Sequence, residues 1–198
     1  MKVQGWPAVL IDHEITLRPL ERRDATAWEK ARQRSAAWLQ PWDATTPPHL
    51  PAQPRTYART IRHLQRAARQ GIAFPFALEV GGEFAGQVSV NNIVRGSAQF
   101  ASIGYWIDEA YAGRGVMPRA VALAIDHCLT AAGLHRIEIC IRPENSNSLR
   151  VVEKLGLREV GFAPHFLHID GEWRDHRIYA ITAEERDGSI LSRLQSHD

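Results

Sequence analysis

No apolar run in the 198-residue chain approaches the roughly 20 residues of a membrane-spanning helix, which argues against a helical span. The opening stretch MKVQGWPAVLIDHEITLRPL has no basic head followed by an apolar core, so no secretory leader is predicted. Cysteine is scarce. Cys128 and Cys140 allow at most one disulfide, and their helix and strand contexts point to a reduced, cytoplasmic setting. Lysine is scarcer still relative to arginine: Lys2, Lys30 and Lys154 are the three lysines among 24 basic residues, a bias that reads as genome composition. Repeats and low-complexity tracts are absent. No Gly-Lys-Ser/Thr follows a glycine-rich turn, which excludes a Walker loop, and no stretch supplies the third glycine of a dinucleotide fingerprint.

What is present is ordinary for a globular chain: 44% hydrophobic and 23% charged residues, with a net charge of +2. One domain over 1–198 is expected, with its core at about 12–183 and a weakly ordered tail beyond Glu184. ITLRPLERRDATAWEKARQ reads as a strand, a loop and a helix starting near Asp24, and WLQPWDATTPPHLPAQP as an ordered loop or broken helix. Over 54–70, Arg55, Arg59, Arg62, Arg66 and Arg69 form one helical stripe. Tyr57, Ile61, Leu64 and Ala68 form another. A solvated face opposite a core face is the plain reading of this pattern; a surface for RNA or a ribosome is the sharper one.

FPFALEV, GG and EFAGQVSVNNIV then read as a hairpin, followed by a third strand, FASIGYWI. A helix with Val121, Ala124, Ile125, Cys128 and Ala132 on one face runs to Gly133. HRIEICI reads as a buried strand and NSNSLRVVEKLG as a short capped helix. Two strands around Asp170-Gly171 close the chain. Antiparallel hairpins flanking one parallel crossover make this an α+β order, and disfavour a doubly wound sheet with its repeated βα units.

Two places concentrate chemistry. In YAGRGVM (111–117), Gly113 and Gly115 would let bare N–H groups approach an anion at the start of a helix. Pro118 falls in the first turn, where its missing N–H matters little. A plain turn explains a lone Gly-x-Gly equally well. In RPENSNSLRVVEKLG, Asn145 and Ser148 are first of all helix caps. His165, His168, Asp170, Asp175 and His176 do not suggest a metal centre, because His165 and His168, three apart on a strand, should point to opposite faces. Trp38, Trp42 and Trp173 read as core aromatics or as the wall of an acceptor groove.

Taken in order and spacing, WLQPW, NNIVRGS, GYWIDEAYAGRGVM, HRIEICIRPENSNSLRVVEKLG and HIDGEWRDHRIYA resemble the GCN5-related N-acetyltransferase (GNAT) superfamily, in particular its RimJ-type ribosomal-protein alanine N-acetyltransferases. The resemblance covers residues 12–183. It implies a mixed, mostly antiparallel sheet of about seven strands with about four helices, splayed at the central parallel pair. The implied cosubstrate is acetyl-CoA. By the same resemblance, Gly113, Arg114, Gly115, Val116, Met117 and Pro118 would wrap its pyrophosphate. Tyr105, Trp106 and Ile107 would pair with the pantetheine arm, and Asn145 would meet it from the neighbouring strand's end. The family's loop begins with Gln or Arg and ends with Gly or Ala; here those positions hold Ala112 and Met117. The glutamate and tyrosine that some relatives place around the asparagine are replaced by Cys140 and Val152. Ser148 matches the serine of the RimJ/RimL branch and would donate a hydrogen bond to the departing sulfur.

The implied reaction is direct attack of a neutral amine on a thioester. At pH 7, freeing an α-amine (pKa about 7.7–8.0) costs about 1 kcal/mol, whereas freeing a lysine (about 10.4) costs nearly 5. An N-terminal acceptor therefore needs only a weak base, for which Glu138 and His168 are candidates, each reading first as structural. Three functions stay open: Nα-acetylation of a ribosomal protein, acetylation of a small amine such as a polyamine or aminoglycoside, and a non-catalytic acetyl-CoA-binding module. Whether the protein is a monomer or a homodimer is equally open.

Overall fold

Alternating apolar residues in the middle and C-terminal segments are gathered into one twisted sheet. A computed structural model describes residues 3–51 and 56–195. Its strands are β1 (Leu10–Asp12), β2 (Ile15–Pro19), β3 (Phe74–Val80), β4 (Glu83–Val94), β5 (Phe100–Ile107), β6 (Arg136–Ile141), β7 (Arg158–Ile169) and β8 (Glu172–Thr182). The helices are α1 (Ala25–Arg34), α2 (Ala36–Leu39), α3 (Tyr57–Arg69), α4 (Val116–Leu129), α5 (Ser146–Lys154) and α6 (Ile190–Gln195). The sheet order is β1-β2-β3-β4-β5-β6-β8-β7, antiparallel throughout except at β5–β6.

Each face of the sheet buries its own helices. On one, Ala120, Val121, Ala124, Ile125 and Cys128 of α4 are fully buried against Leu17, Phe74, Val88 and Ile137. Burial pushes the Cys128 thiol up to about 12, which leaves it protonated and part of the core. On the other, Tyr57 and Ile61 of α3 and Ala31 of α1 close over Leu20, Ala77 and Phe84. Each buried aliphatic or aromatic side chain contributes on the order of 1.5–3 kcal/mol. The two stripes expected on α3 are separate in the structure: Tyr57, Ile61 and Ala68 are buried, while Arg59, Arg62, Arg66 and Arg69 are exposed. Arg55 lies outside the described residues.

The parallel pair holds together only at its start. Phe100, Ala101 and Ser102 pair with Arg136, Ile137 and Glu138, and beyond them no register joins the two strands. Ile103 to Ile107 continue along β4, while Ile139 to Ile141 continue along β8. The sheet therefore opens into a V at its centre.

Four expectations change. There are eight strands and six α-helices among the described residues, against about seven and four. The extra strand is β1, three residues long and turned back through His13 in the left-handed region (φ 51), too short to show a period. Arg119 of α4 holds it through Asp12 at 2.6 Å. The helix expected to run to Gly133 stops at Leu129, and Gly133 (φ 63) sits in the turn that follows. The strand HRIEICI alternates between buried and half-buried positions over β6. The segment beyond Glu184 is ordered as α6, because Asp126 of α4 accepts from Ser189 Oγ (2.6 Å) and from the N–H groups of Ile190 (2.9 Å) and Leu191 (3.1 Å). Ile190 is fully buried.

Candidate active site

The V is filled from one side by a cavity of about 620 Å³ and from the other by one of about 250 Å³. Gly104, Tyr105, Asn145, Ser148 and Trp42 line both, so the two meet between the ends of β5 and β6.

The larger cavity takes its floor from the glycine loop. A one-turn 3-10 helix, Glu109–Tyr111, leads out of β5, and Gly115 is the N-cap of α4. Gly113 and Gly115 both lie in the left-handed region (φ 74 and 76), where a Cβ is strained, and at both the Cβ position faces open space. Among the described residues, no protein acceptor takes the N–H groups of residues 113–117. Orphan donors at the start of a 14-residue helix are suited to hold an anion such as a pyrophosphate.

The loop is anchored by Asp108, fully buried at the end of β5. Its carboxylate accepts from Ser35 Oγ (2.9 Å), from the Ala110 N–H (3.2 Å) and from the Arg34 guanidinium. Burial alone would push this carboxyl up; the three donors outweigh it and hold it below the usual carboxylate range.

The expected cofactor residues are all on this wall except one. Tyr105, Trp106, Ile107, Gly113, Gly115, Val116, Met117, Pro118, Asn145 and Ser148 line the larger cavity. Arg114 does not: its side chain stacks over Tyr111, 5.7 Å from the ring centre, and lies 3.8 Å from Glu14. Met117 stands where the family has Gly or Ala; it sits inside α4, and its side chain is buried in the core. That position therefore needs no glycine conformation.

Asn145 is the N-cap of α5, and its Oδ1 accepts from the Ser148 N–H at 3.0 Å. The plain capping reading thus holds for Asn145, and the cap also orients the backbone of Ser148. The Tyr105 hydroxyl lies 3.5 Å from the Ser148 carbonyl and interacts with the Ser148 side chain as well. Burial pushes the Tyr105 phenol well above its usual value, so it stays protonated. Val152 is fully buried in the core. Cys140 lines the smaller cavity with its thiol raised to about 11 by burial, and so is a neutral wall.

The two candidate bases are otherwise engaged. Glu138 is paired with Arg136 at 2.7 Å, and His168 Nδ1 lies 2.7 Å from Thr45 Oγ1 with Trp173 against its ring. Trp38 and Trp42 line the larger cavity, but Trp173 is half-exposed on β8 and lines neither. β7 is irregular between Ala163 and Leu167 and His165 has φ 47, so the strict alternation expected to send His165 and His168 to opposite faces fails there.

Two further features come from the structure. Gln87, Ser89 and Asn91 of β4 turn a polar row into the larger cavity, with Gln87 Nε2 donating to Ser89 Oγ at 2.8 Å. Their alternation with buried Val88 and Val90 is a period-two signal readable in QVSVN. His176 is buried in the wall of the smaller cavity.

The acetyltransferase (GNAT) domain family matches residues 14–158. The chain belongs to this family. It is an N-acetyltransferase, and its cosubstrate is acetyl-CoA, as is standard for the family. The structure of Mycobacterium smegmatis RimJ in complex with CoA-disulfide superimposes with a TM-score of 0.93 at 37% identity, covering 99% of this chain and 97% of that one. An Escherichia coli [ribosomal protein uS5]-alanine N-acetyltransferase is 29% identical over 178 residues, 89% of this chain and 91% of that one. The probable N-acetyltransferase YjcK of Bacillus subtilis is 44% identical over 96 residues, 48% of this chain, which spans about half (53%) of that relative's length. A spermidine N(1)-acetyltransferase of Escherichia coli is 29% identical over 165 residues, 82% of this chain and 83% of that one.

Proposed function

We propose that this acetyltransferase modifies the α-amino group of a protein N-terminus, that of a ribosomal protein, in the cytoplasm. The observation that carries the reading is the near-complete likeness to a RimJ, extending through the Trp-bearing segment and the Asp170-Gly171 hairpin that flank the cavities. The acceptor side agrees chemically. Its walls are Trp38, Trp42 and the Gln87–Asn91 row, and Asp43 is the one carboxylate among the described lining residues. Asp43 is already paired with Arg32. A polyamine, which carries several positive charges, calls for several free carboxylates; an extended peptide backbone calls for amides and hydroxyls. The spermidine acetyltransferase among the relatives keeps a small-amine acceptor as the alternative to be tested.

In this reading the N–H groups of residues 113–117 hold the pyrophosphate of acetyl-CoA. The freed edge of β5 at Tyr105–Ile107 takes the pantetheine arm, with Asn145 facing it from the start of α5. The acetyl thioester comes to the junction of the two cavities, and the amine enters from the side of Trp42. Ser148 Oγ–H donates to the departing sulfur, a modest task because a thiolate with a pKa near 8.5 leaves readily. Arg59, Arg62 and Arg66, exposed on α3 and without ion pairs among the described residues, serve as a contact to ribosomal RNA.

Mass spectrometry of ribosomal-protein N-termini from cells with and without this protein tests the substrate. Loss of one N-terminal acetyl group is expected, and an unchanged set refutes the reading. Replacing Arg59, Arg62 and Arg66 together by Ala should abolish ribosome association while peptide acetylation persists; unaltered association removes the α3 contact.

A further inference from the structure

We infer that His176 Nε2 accepts the proton released by the attacking amine, directly or through one water. The inference rests on the N-acetyltransferase reading of the site but not on which amine is the acceptor. His176 is 3% exposed on β8 and lines the same cavity as Ser148, Tyr105 and Asn145. Its Nδ1 lies 3.0 Å from the carbonyl oxygen of Arg174. A carbonyl only accepts, so Nδ1 carries the proton and Nε2 is left with its lone pair. Among the described residues no protein group bonds to Nε2, and Nε2 is not among the buried polar atoms sealed from solvent without a partner. Its one outlet is therefore toward the cavity. Phe166 of β7 packs edge-on against the ring, 5.7 Å between centres, and fixes its plane.

The charges around it keep the imidazole neutral. Burial lowers its affinity for a proton, and Arg142, after β6, acts in the same direction. Asp175 on the same strand, Glu144 beyond β6 and the Arg174 carbonyl oppose this, and the net effect is downward. Such a base is weaker than a free α-amine but suits this reaction. As the nitrogen bonds to the acetyl carbon its protons become far more acidic, and one passes to Nε2. The C–S bond breaks and the thiolate leaves with Ser148 Oγ–H hydrogen-bonded to it; the proton on Nε2 then passes to solvent, and solvent protonates the sulfur. The products are an amide and a thiol.

His176→Gln keeps the bulk and a hydrogen-bonding side chain but cannot take the proton. Its acetyl-CoA affinity should stay within about 2-fold of wild type while kcat/KM at pH 7 falls at least about 10-fold. NMR titration of labelled histidine should show His176 neutral at pH 7 with the proton on Nδ1. Below the pKa so found, log kcat/KM of the wild-type enzyme should rise with slope 2, from amine and imidazole together. The variant should keep slope 1, from the amine alone. An unchanged kcat/KM, a variant profile parallel to wild type across that pKa, or a proton on Nε2 at pH 7 would overturn the assignment. The ratio is measured on whichever primary amine the wild-type enzyme acetylates. If that is spermidine and not an N-terminal peptide, the substrate reading fails while the His176 test stands.

Discussion

On one side of the central gap, Gly113, Gly115 and the first turn of α4 present backbone N–H groups from a single run of the chain. On the other, Trp42, Cys140 and His176 are brought together from three segments far apart in sequence. The first surface is built from main-chain donors and a helix end, which any sequence with two suitable glycines could supply. The second is built from side chains, each held by neighbours that only the assembled sheet provides. In the proposed assignment, recognition of the cosubstrate is a local, backbone property, and handling of the acceptor is a distributed, side-chain property.

The sharpest way to break this contrast is Gly115→Val. A β-branched side chain at φ 76 is strained, and its Cβ would stand in the open space of the cradle. Acetyl-CoA affinity by calorimetry should fall about 100-fold, or about 2.7 kcal/mol. Binding within a few-fold of wild type would mean the cradle is not the anion site. Ser148→Ala probes the junction: kcat should fall at least about 10-fold with acetyl-CoA affinity nearly unchanged. An unaltered kcat removes Ser148 from the mechanism.

Asp108→Ala loosens the loop's anchor and should cost about 1–3 kcal/mol in urea denaturation at pH 7. The folded carboxyl is held below its ordinary value, so its stabilisation is complete above the unfolded pKa of about 3.9 and is lost as pH falls through the folded value. The gap between variant and wild type should therefore narrow below pH 4; a gap that is constant with pH would show that the ion pair is not its source. Asn145→Ala removes a cap and should lower stability by about 1 kcal/mol in the same assay. Arg114→Ala is the smallest: because its side chain points to Tyr111 and Glu14, acetyl-CoA affinity should change by less than about 2-fold. A loss as large as that of the glycine variant would show that the guanidinium swings into the site.

The same contrast explains what the sequence made legible. The hairpin β3–β4, the strand β5, the glycine loop and α4 are consecutive, and their periods and turns announce them; the three strands appear in the structure residue for residue, and α4 follows the glycine loop but stops at Leu129, short of Gly133. What stayed hidden depends on partners distant in the chain. β1 exists as a three-residue strand because β2 and Arg119 hold it, and α6 is ordered because Asp126 caps it from α4. In the sequence His176 is one of a His/Asp group with no metal pattern; its carbonyl partner, its cavity and the ring of Phe166 appear only after β7 and β8 pair across an irregular register. Trp173 shows the converse. It has the residue type of a groove wall, yet its place on β8 turns it toward His168, outside both cavities. The Gln87–Ser89–Asn91 row was readable from alternation alone, and shows that a polar face on an otherwise buried strand is itself a site signal.

The most direct measurement offers the purified enzyme acetyl-CoA and one peptide that begins with alanine and carries an internal lysine, in competition with spermidine. The position of the acetyl group is then read by fragment mass spectrometry. Acetylation confined to the α-amino group, with spermidine largely untouched, is the predicted result. Acetyl on the lysine side chain, or preferential consumption of spermidine, would contradict it.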